Sequence, residues 1–249
     1  MPRDGLLRGE EIQPLDRTPR PQTAQEKRKN WWHYHWVHLV IAVVAVGILA
    51  SILWSVFSQV KADYHVTVLT SYTFPEDGRR QMAKCLEQYA DDRNGDGKVV
   101  VEVDAYSFAT TEVSTPEQLQ QQQSEMARFT VDTGENQSMI FFFDRAEFAL
   151  MEDNFKGFFL YNDGAPMPKD ADDFDNAQRS WNELAGLESF VPQTDVDAYF
   201  TGDQLDQLFE QLHVYRRSAV GYFEDREDAM AYYRDSMALY DRVLAGEVS

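Results

Sequence analysis

The clearest feature of the hydropathy pattern is an uncharged, mostly apolar run from Val37 to Phe57, VHLVIAVVAVGILASILWSVF. It holds 21 residues and no Asp, Glu, Lys or Arg. An α-helix rises about 1.5 Å per residue, so the run reaches roughly 30 Å, the thickness of the hydrocarbon core of a bilayer. A buried helix of a soluble protein is usually shorter and keeps a polar edge. The run therefore predicts one transmembrane helix.

The residues on either side of this run predict its orientation. Cationic residues beside a first span favour the cytoplasm, and Trp and Tyr favour the headgroup layer. Trp54 and Phe57 suit the opposite headgroup layer and are followed by a lone Lys61. We therefore expect a cytoplasmic N-terminus and an extracellular C-terminal domain. The cationic and aromatic residues before the run are Lys27, Arg28, Lys29, Trp31, Trp32, Tyr34, His35 and Trp36.

A removed signal peptide is the alternative interpretation of the same run. Val60-Lys61-Ala62 loosely resembles a small-x-small cleavage site. The apolar region of a signal peptide is normally about 7–15 residues long, so this run is too long. We expect an uncleaved anchor over residues 31–58, a disordered cytoplasmic tail over 1–30, and one extracytoplasmic domain over 62–249. The tail is rich in Pro and charge and poor in apolar residues, which favours disorder.

After the span, short β-branched strands alternate with helical patterns. The strands are predicted at 64–70, 99–105 and 138–143, and the helices at 77–92 and 116–131. Beyond these the pattern predicts short helices at 147–151, 178–187 and 203–211, a strand at 212–217 and a final helix at 225–245. The alternation predicts an α/β fold, a three-layer βαβαβ domain with a parallel-type sheet and a central strand order of 2-1-3.

Composition narrows the class of partner. Residues from 58 onward hold 16 basic and 37 acidic residues, a net charge of −21. Binding to nucleic acid relies on Lys and Arg, so this acidic domain is not expected to bind it. The charge instead favours solubility, cations or basic partners. The single cysteine, Cys85, lies in a helical pattern and is interpreted as a buried structural thiol.

The order of these segments resembles the first lobe of extracellular solute-binding proteins of bacterial ABC importers, in the versions from Gram-positive anaerobes. The similar segments are HVTVLTSYTF, QMAKCLEQYADDRNGDGK, VVVEVDAYSF and SMIFFFDRAEF, followed by HVYRRS and YDRVLAG. The resemblance covers residues 64–150 and, more faintly, 212–246. The chain departs from the family in two ways. It has a membrane helix where the family has a lipidated cysteine, and its second lobe is missing or rudimentary.

The carboxyl edge of the sheet is the first candidate site, because ligands of open α/β folds sit outside the strand ends. Hydroxyls, aromatic rings and an ion pair there suit a sugar or a peptide. The alternative is that these residues cap helices and cover the core, with residues 152–211 forming a lid or plain loop. The candidate ligand-binding residues are Ser71, Tyr72, Thr73, Tyr106, Asp144 and Arg145.

The second candidate is a calcium site in the sequence DRNGDGK. Asp92, Asn94 and Asp96 occupy positions 1, 3 and 5 of an EF-hand-like loop, and Gly97 occupies position 6. Position 12 is Val103, so the second half of the motif does not fit. The alternative is a turn that ends a helix. Ca²⁺ is the one cofactor that the sequence indicates.

No catalytic motif is evident: the chain lacks Gly-x-Ser-x-Gly, His-Glu-x-x-His, a phosphate loop and Cys-x-x-Cys. We therefore expect a non-enzymatic, membrane-anchored binding or assembly domain. The alternative is a functional substrate-binding component of an importer for a sugar or peptide. A hydrolase with an unrecognised site is a third, less favoured hypothesis.

Overall fold

The computed structural model divides the chain into two compact units, Met1–Gln59 and Val60–Ser249. It describes residues 23–57, 61–108, 115–193 and 200–249. The first 22 residues of the predicted tail lie outside this set. Each unit is described by itself.

The first unit contains one helix, α1, Ala24–Phe57, of 34 residues. Thr23 and Glu26 form a capping box: the Glu26 amide donates to the Thr23 hydroxyl, and the Thr23 amide donates to Glu26 Oε2 at 2.9 Å. The helix therefore includes residues 24–30, which the sequence assigns to the tail. Its segment Ala24–Trp54 is long and apolar enough to cross a membrane, with a mean hydropathy of 2.6.

The second unit is an α/β domain built on one mixed sheet of five strands in the order β2-β1-β3-β5-β4. The central order 2-1-3 is confirmed, and β1 pairs in parallel with both of its neighbours. β5 runs antiparallel to β3 and to β4, so the sheet is not purely parallel. The strands are β1 Tyr64–Leu69, β2 Val101–Tyr106, β3 Ser138–Asp144, β4 Gln178–Ser180 and β5 Leu212–Arg216.

Helices and loops cover both faces of the sheet. The helices of this unit are α2 Glu76–Glu87, α3 Pro116–Gly134, α4 Arg145–Met151, α5 Ala185–Glu188, α6 Gly202–Phe209 and α7 Glu227–Ala245. Three 3-10 turns accompany them, at Glu152–Phe155, Phe174–Asn176 and Trp181–Glu183. The helices α2, α5, α6 and α7 pack on what we call the first face of the sheet. The helices α3 and α4, with residues 155–177, cover the second face.

β3 is the centre of both cores, since all seven of its residues are buried. Its side chains alternate between the faces: Ile140 and Phe142 join the core of the first face, and Phe141 and Phe143 join that of the second. The second core is built mostly of phenylalanine. Its rings meet edge to face, as in the contact of Phe143 with Phe155 at 5.1 Å between centroids.

The segment 152–211 is neither a lid nor a second lobe in its described part. Residues 155–177 bury Phe155, Phe159 and Phe174 in the second core. The predicted helix over 178–187 is wrong at its start, because Gln178–Ser180 pair with β5 as an edge strand. The residues that follow return to the first face, where Trp181 is buried. The segment therefore completes the sheet and both cores.

Charged residues link α3 to the outer strands on the second face. His65 Nδ1 lies 2.9 Å from Asp104 Oδ2, and Arg128 of α3 approaches Asp104 Oδ1 at 3.4 Å. The hydrogen bond to Asp104 raises the pKa of His65. The protonated imidazole is therefore favoured by the folded state.

We expect His65 to stabilise the domain below about pH 6.5, the pKa of an unperturbed histidine, and to lose this effect as pH rises through its higher folded pKa. His65→Gln should remove that part of the pH dependence of the free energy of unfolding between pH 6 and 8. Chemical denaturation at several pH values measures it. The control is His213→Gln, because the pKa of His213 is lowered and its effect has the opposite sign. Parallel pH profiles of wild type and His65→Gln would contradict the prediction.

Candidate functional site

The carboxyl edge of the sheet brings together the residues that follow β1, β2 and β3. Leu69 pairs with Tyr106 on one side and with Phe143 on the other. The next residue of each strand is therefore in one row: Thr70, Ser107 and Asp144. By strand alternation this row faces the first core, opposite to Tyr106 and Phe143.

Asp144 is the hub of this edge. One carboxylate oxygen accepts from the Ser71 amide at 2.6 Å and from the Ser71 hydroxyl at 2.7 Å. The other caps α4 by accepting from the Glu147 amide at 2.6 Å. Asp144 is itself buried, with 5% of its surface exposed. It therefore ends β3, starts α4 and holds the loop after β1 in place.

Glu147 is the most unusual residue of the edge. Only 1% of its surface is exposed, and its Oε2 atom is buried with no hydrogen-bond partner. Burial, with a smaller effect from the Asp144 carboxylate, raises the pKa of Glu147 to about 7. A buried polar atom without a partner is uncommon and calls for a functional or structural explanation.

Two hydroxyls of the same edge also lack partners. The Tyr72 hydroxyl and the Ser107 Oγ atom are buried and form no hydrogen bond within the described structure. Burial and the nearby Asp144 raise the pKa of Tyr72 to about 12, so its hydroxyl stays protonated and can donate. The Tyr72 ring stacks on Phe74 at 6.5 Å between centroids. Thr73 is exposed beside them.

Tyr106 does not join the other predicted residues, and this part of the hypothesis is corrected. Its side chain lies in the second core, 1% exposed, and its hydroxyl donates to Asp132 of α3. The Arg128 guanidinium lies 5.1 Å from the centre of its ring. The reason is strand alternation: Tyr106 points to the second face, whereas its neighbour Ser107 points to the same face as Asp144.

A cavity of about 420 Å³ opens next to Asp144, between α4, β5 and the loop before β4. Its apolar wall is aromatic, and its polar residues include four carboxylates and one guanidinium. The Tyr215 hydroxyl donates to Gln178 Oε1 at 2.8 Å. The lining residues are Phe143, Asp144, Arg145, Phe148, Ala149, Glu152, Asp172, Phe174, Asp175, Gln178, His213 and Tyr215.

Two polar side chains of this cavity lack partners. Arg145 is exposed and forms no ion pair with any residue that the structure describes. The Nδ1 atom of His213 is buried and has no hydrogen-bond partner. Burial and then the nearby Arg145 lower the pKa of His213, so its imidazole is neutral at pH 7.

The predicted calcium loop is closed by its own hydrogen bonds. Asp92 accepts from the amides of Gly95, at 2.7 Å, and Gly97, at 2.8 Å. Asn94 and Asp96 accept from amides two residues further on. No group of three potential metal-binding side chains of the Asp, Glu, His or Cys type occurs among the described residues. Calcium binding stays a prediction, and the geometry shows that the loop closes as a turn.

Cys85 is buried, as expected for a structural thiol. Its Sγ atom lies 3.7 Å from the Gly186 carbonyl oxygen, and burial raises the pKa of the thiol to about 12. It is therefore a thiol, not a thiolate, at neutral pH.

Comparison of the chain with protein-family models, with curated proteins and with solved structures found no match.

Sequence reasoning missed three residues of this edge: Ser107, Glu147 and His213. Ser107 follows from the alternation of Val101, Val103 and Ala105, which share its face. The spacing of Asp144 and Glu147 is that of a helix cap with an acidic third residue, a recognisable signal. His213 gave no local signal, because its position depends on the pairing of β5 with β3.

We expect Glu147 to lower the stability of the domain as pH rises. The unfolded carboxyl ionises near pH 4.5 and the folded one near pH 7, so the free energy of unfolding should fall between these values. Glu147→Gln should remove this slope and gain on the order of 1–3 kcal/mol at pH 8. Glu117→Gln, in the first turn of exposed α3, is the control and should keep the wild-type slope. A pH profile that is the same in wild type and Glu147→Gln would show that the carboxyl is not perturbed.

We expect Asp92→Ala to destabilise the domain by about 1–2 kcal/mol in chelator, because amides of the loop lose their acceptor. If the loop also binds calcium, excess Ca²⁺ should raise the melting temperature of the wild type but not that of Asp92→Ala. The measurement is thermal unfolding with Ca²⁺ and with chelator. Equal wild-type midpoints in the two conditions would leave a turn and no metal site.

Proposed function

We propose that this chain is a single-pass membrane protein whose α1 anchors an extracytoplasmic α/β domain, with the N-terminus in the cytoplasm. The cationic residues before the apolar segment of α1 and the aromatic residues at both of its ends support this orientation. The second unit begins within a few residues of the end of α1, so an anchored helix keeps the domain at the membrane surface.

The domain acts by binding, and its ligand sits at the carboxyl edge of the sheet. One observation carries this proposal: the buried Glu147 oxygen without a partner, beside the Asp144 hub. A protein interior tolerates such an atom only at a cost, of about 1–3 kcal/mol, so a retained one points to use of the site. The unpartnered hydroxyls of Tyr72 and Ser107 extend the same polar surface.

The related proposal is descent from a lobe of solute-binding proteins. The parallel 2-1-3 core and a ligand surface at the strand ends support it. The alternative, a working receptor of an importer for a sugar or peptide, is favoured by the aromatic wall of the cavity, since sugars and peptides pack on aromatic rings. Neither form of the proposal includes catalysis.

Topology is tested with a C-terminal tag on the full chain. In intact cells, added protease should remove the tag, and the tagged protein should sediment with membranes. An N-terminal tag on a second version should be protected until the cells are opened. Recovery in the medium of a soluble fragment that begins near Asp63 would establish a cleaved signal peptide in place of an anchor.

The binding edge is tested by Tyr72→Phe and Ser107→Ala. Because these hydroxyls have no partner, each change should alter the free energy of unfolding by no more than about 0.5 kcal/mol. Both should weaken the effect of any sugar or peptide that raises the melting temperature of the wild type in nanodiscs. Thr130→Ala, which removes a hydroxyl bonded to the Met126 carbonyl of α3, is the control and should leave such an effect unchanged. Destabilisation by 2 kcal/mol or more would instead mark the hydroxyls as structural.

A further inference from the structure

The cavity next to Asp144 has the chemistry of a binding site for one class of molecule. We infer that it binds an organic cation, an ammonium or guanidinium group on an apolar stem, held by the aromatic wall and the surrounding carboxylates. This inference rests on the proposed function, because it names the ligand class for the same edge of the sheet.

The first argument is charge. Asp144, Glu152, Asp172 and Asp175 line the cavity, and Arg145 is the one cationic lining residue. Glu152, Asp172 and Asp175 are exposed, and Asp175 accepts a hydrogen bond from Gln178 at 2.6 Å. A cleft lined by one sign of charge concentrates ions of the opposite sign. The remaining domain carries a net charge of −21 and reinforces this field.

The second argument is the aromatic wall. Phe148 stacks on Tyr215 at 4.6 Å between centroids and meets Phe174 edge to face at 5.1 Å. Aromatic rings attract cations through their faces and pack against the apolar stem that carries the charge. A volume of about 420 Å³ is within the usual range for a small-molecule site.

The domain already holds one guanidinium in this manner. Arg217 is 2% exposed, and its guanidinium carbon lies 4.6 Å from the centre of the Phe158 ring and 5.1 Å from that of Tyr222. Its only hydrogen bond in the described structure runs from Nη1 to the Thr133 carbonyl, and its Nε atom has no partner. The second face thus accommodates a cation by ring contacts with few hydrogen bonds.

The third argument is His213. Its neutral imidazole does not repel a cation, and its buried Nδ1 atom has no partner within the described residues. In the tautomer with the proton on Nε2, this nitrogen accepts a hydrogen bond from an ammonium or guanidinium N–H.

Arg145 defines the competing hypothesis, because its unpaired guanidinium suits a carboxylate or phosphate. The two hypotheses predict opposite effects of its removal. If the ligand is a cation, Arg145→Gln removes a repulsive charge and binding tightens. If the ligand is an anion, the same change removes its main contact and binding is lost.

The experiment uses the full chain in nanodiscs of uncharged lipid, with butylguanidinium chloride and butylurea as probes. The two probes have the same shape, and only the first is charged. Calorimetry should show the cation binding about tenfold or more tightly than the urea. Asp172→Asn with Asp175→Asn should weaken cation binding at least threefold, and Arg145→Gln should tighten it.

Asp170→Asn is the matched control, because Asp170 is an exposed residue of the same loop that does not line the cavity. It should change the Kd of butylguanidinium less than the double variant does. Equal binding of the two probes, or loss of binding in Arg145→Gln, would overturn the inference. If sugars or peptides still bind at the edge in that case, the proposed function stands and only the cation is wrong. If no sugar, peptide, cation or anion binds, the proposed function fails as well.

Discussion

The carboxylate of Asp144 is the interaction on which the candidate site depends. It accepts hydrogen bonds from Ser71 after β1 and from Glu147 in α4, so one buried anion joins two chain segments more than seventy residues apart. Without it, the loop after β1 would lose its acceptor and α4 its cap. The unpartnered edge on one side of Asp144 and the aromatic cavity on the other are both placed by this one residue.

The parallel core was predictable because its signals are local. β-Branched runs, a helix with Met82, Cys85 and Leu86 on its buried side, and short connections leave few alternatives to the 2-1-3 order. The mixed character of the sheet was not predictable in the same way. Gln178–Ser180 is too short and too polar to suggest a strand, and it becomes one because β5 offers it an open edge.

The candidate site was predictable by location and only in part by residue. The rule that ligands sit at strand ends correctly selected Ser71, Tyr72, Asp144 and Arg145 as residues of this edge. Tyr106 was placed wrongly because the rule identifies the edge and not the face, and a shift of one residue along a strand reverses the side chain. The cavity depends on Phe174, Gln178 and His213, which come from segments without a local pattern.

The ionisation of Glu147 has a consequence for any positively charged molecule that reaches this edge. A carboxyl with a pKa of about 7 is partly protonated at neutral pH. A positive charge placed near it favours the ionised form, and by linkage the ionised form favours the positive charge. Uptake of such a molecule would then release a proton. The heat measured on binding would depend on the ionisation enthalpy of the buffer, and the affinity would rise as the surrounding medium becomes more alkaline.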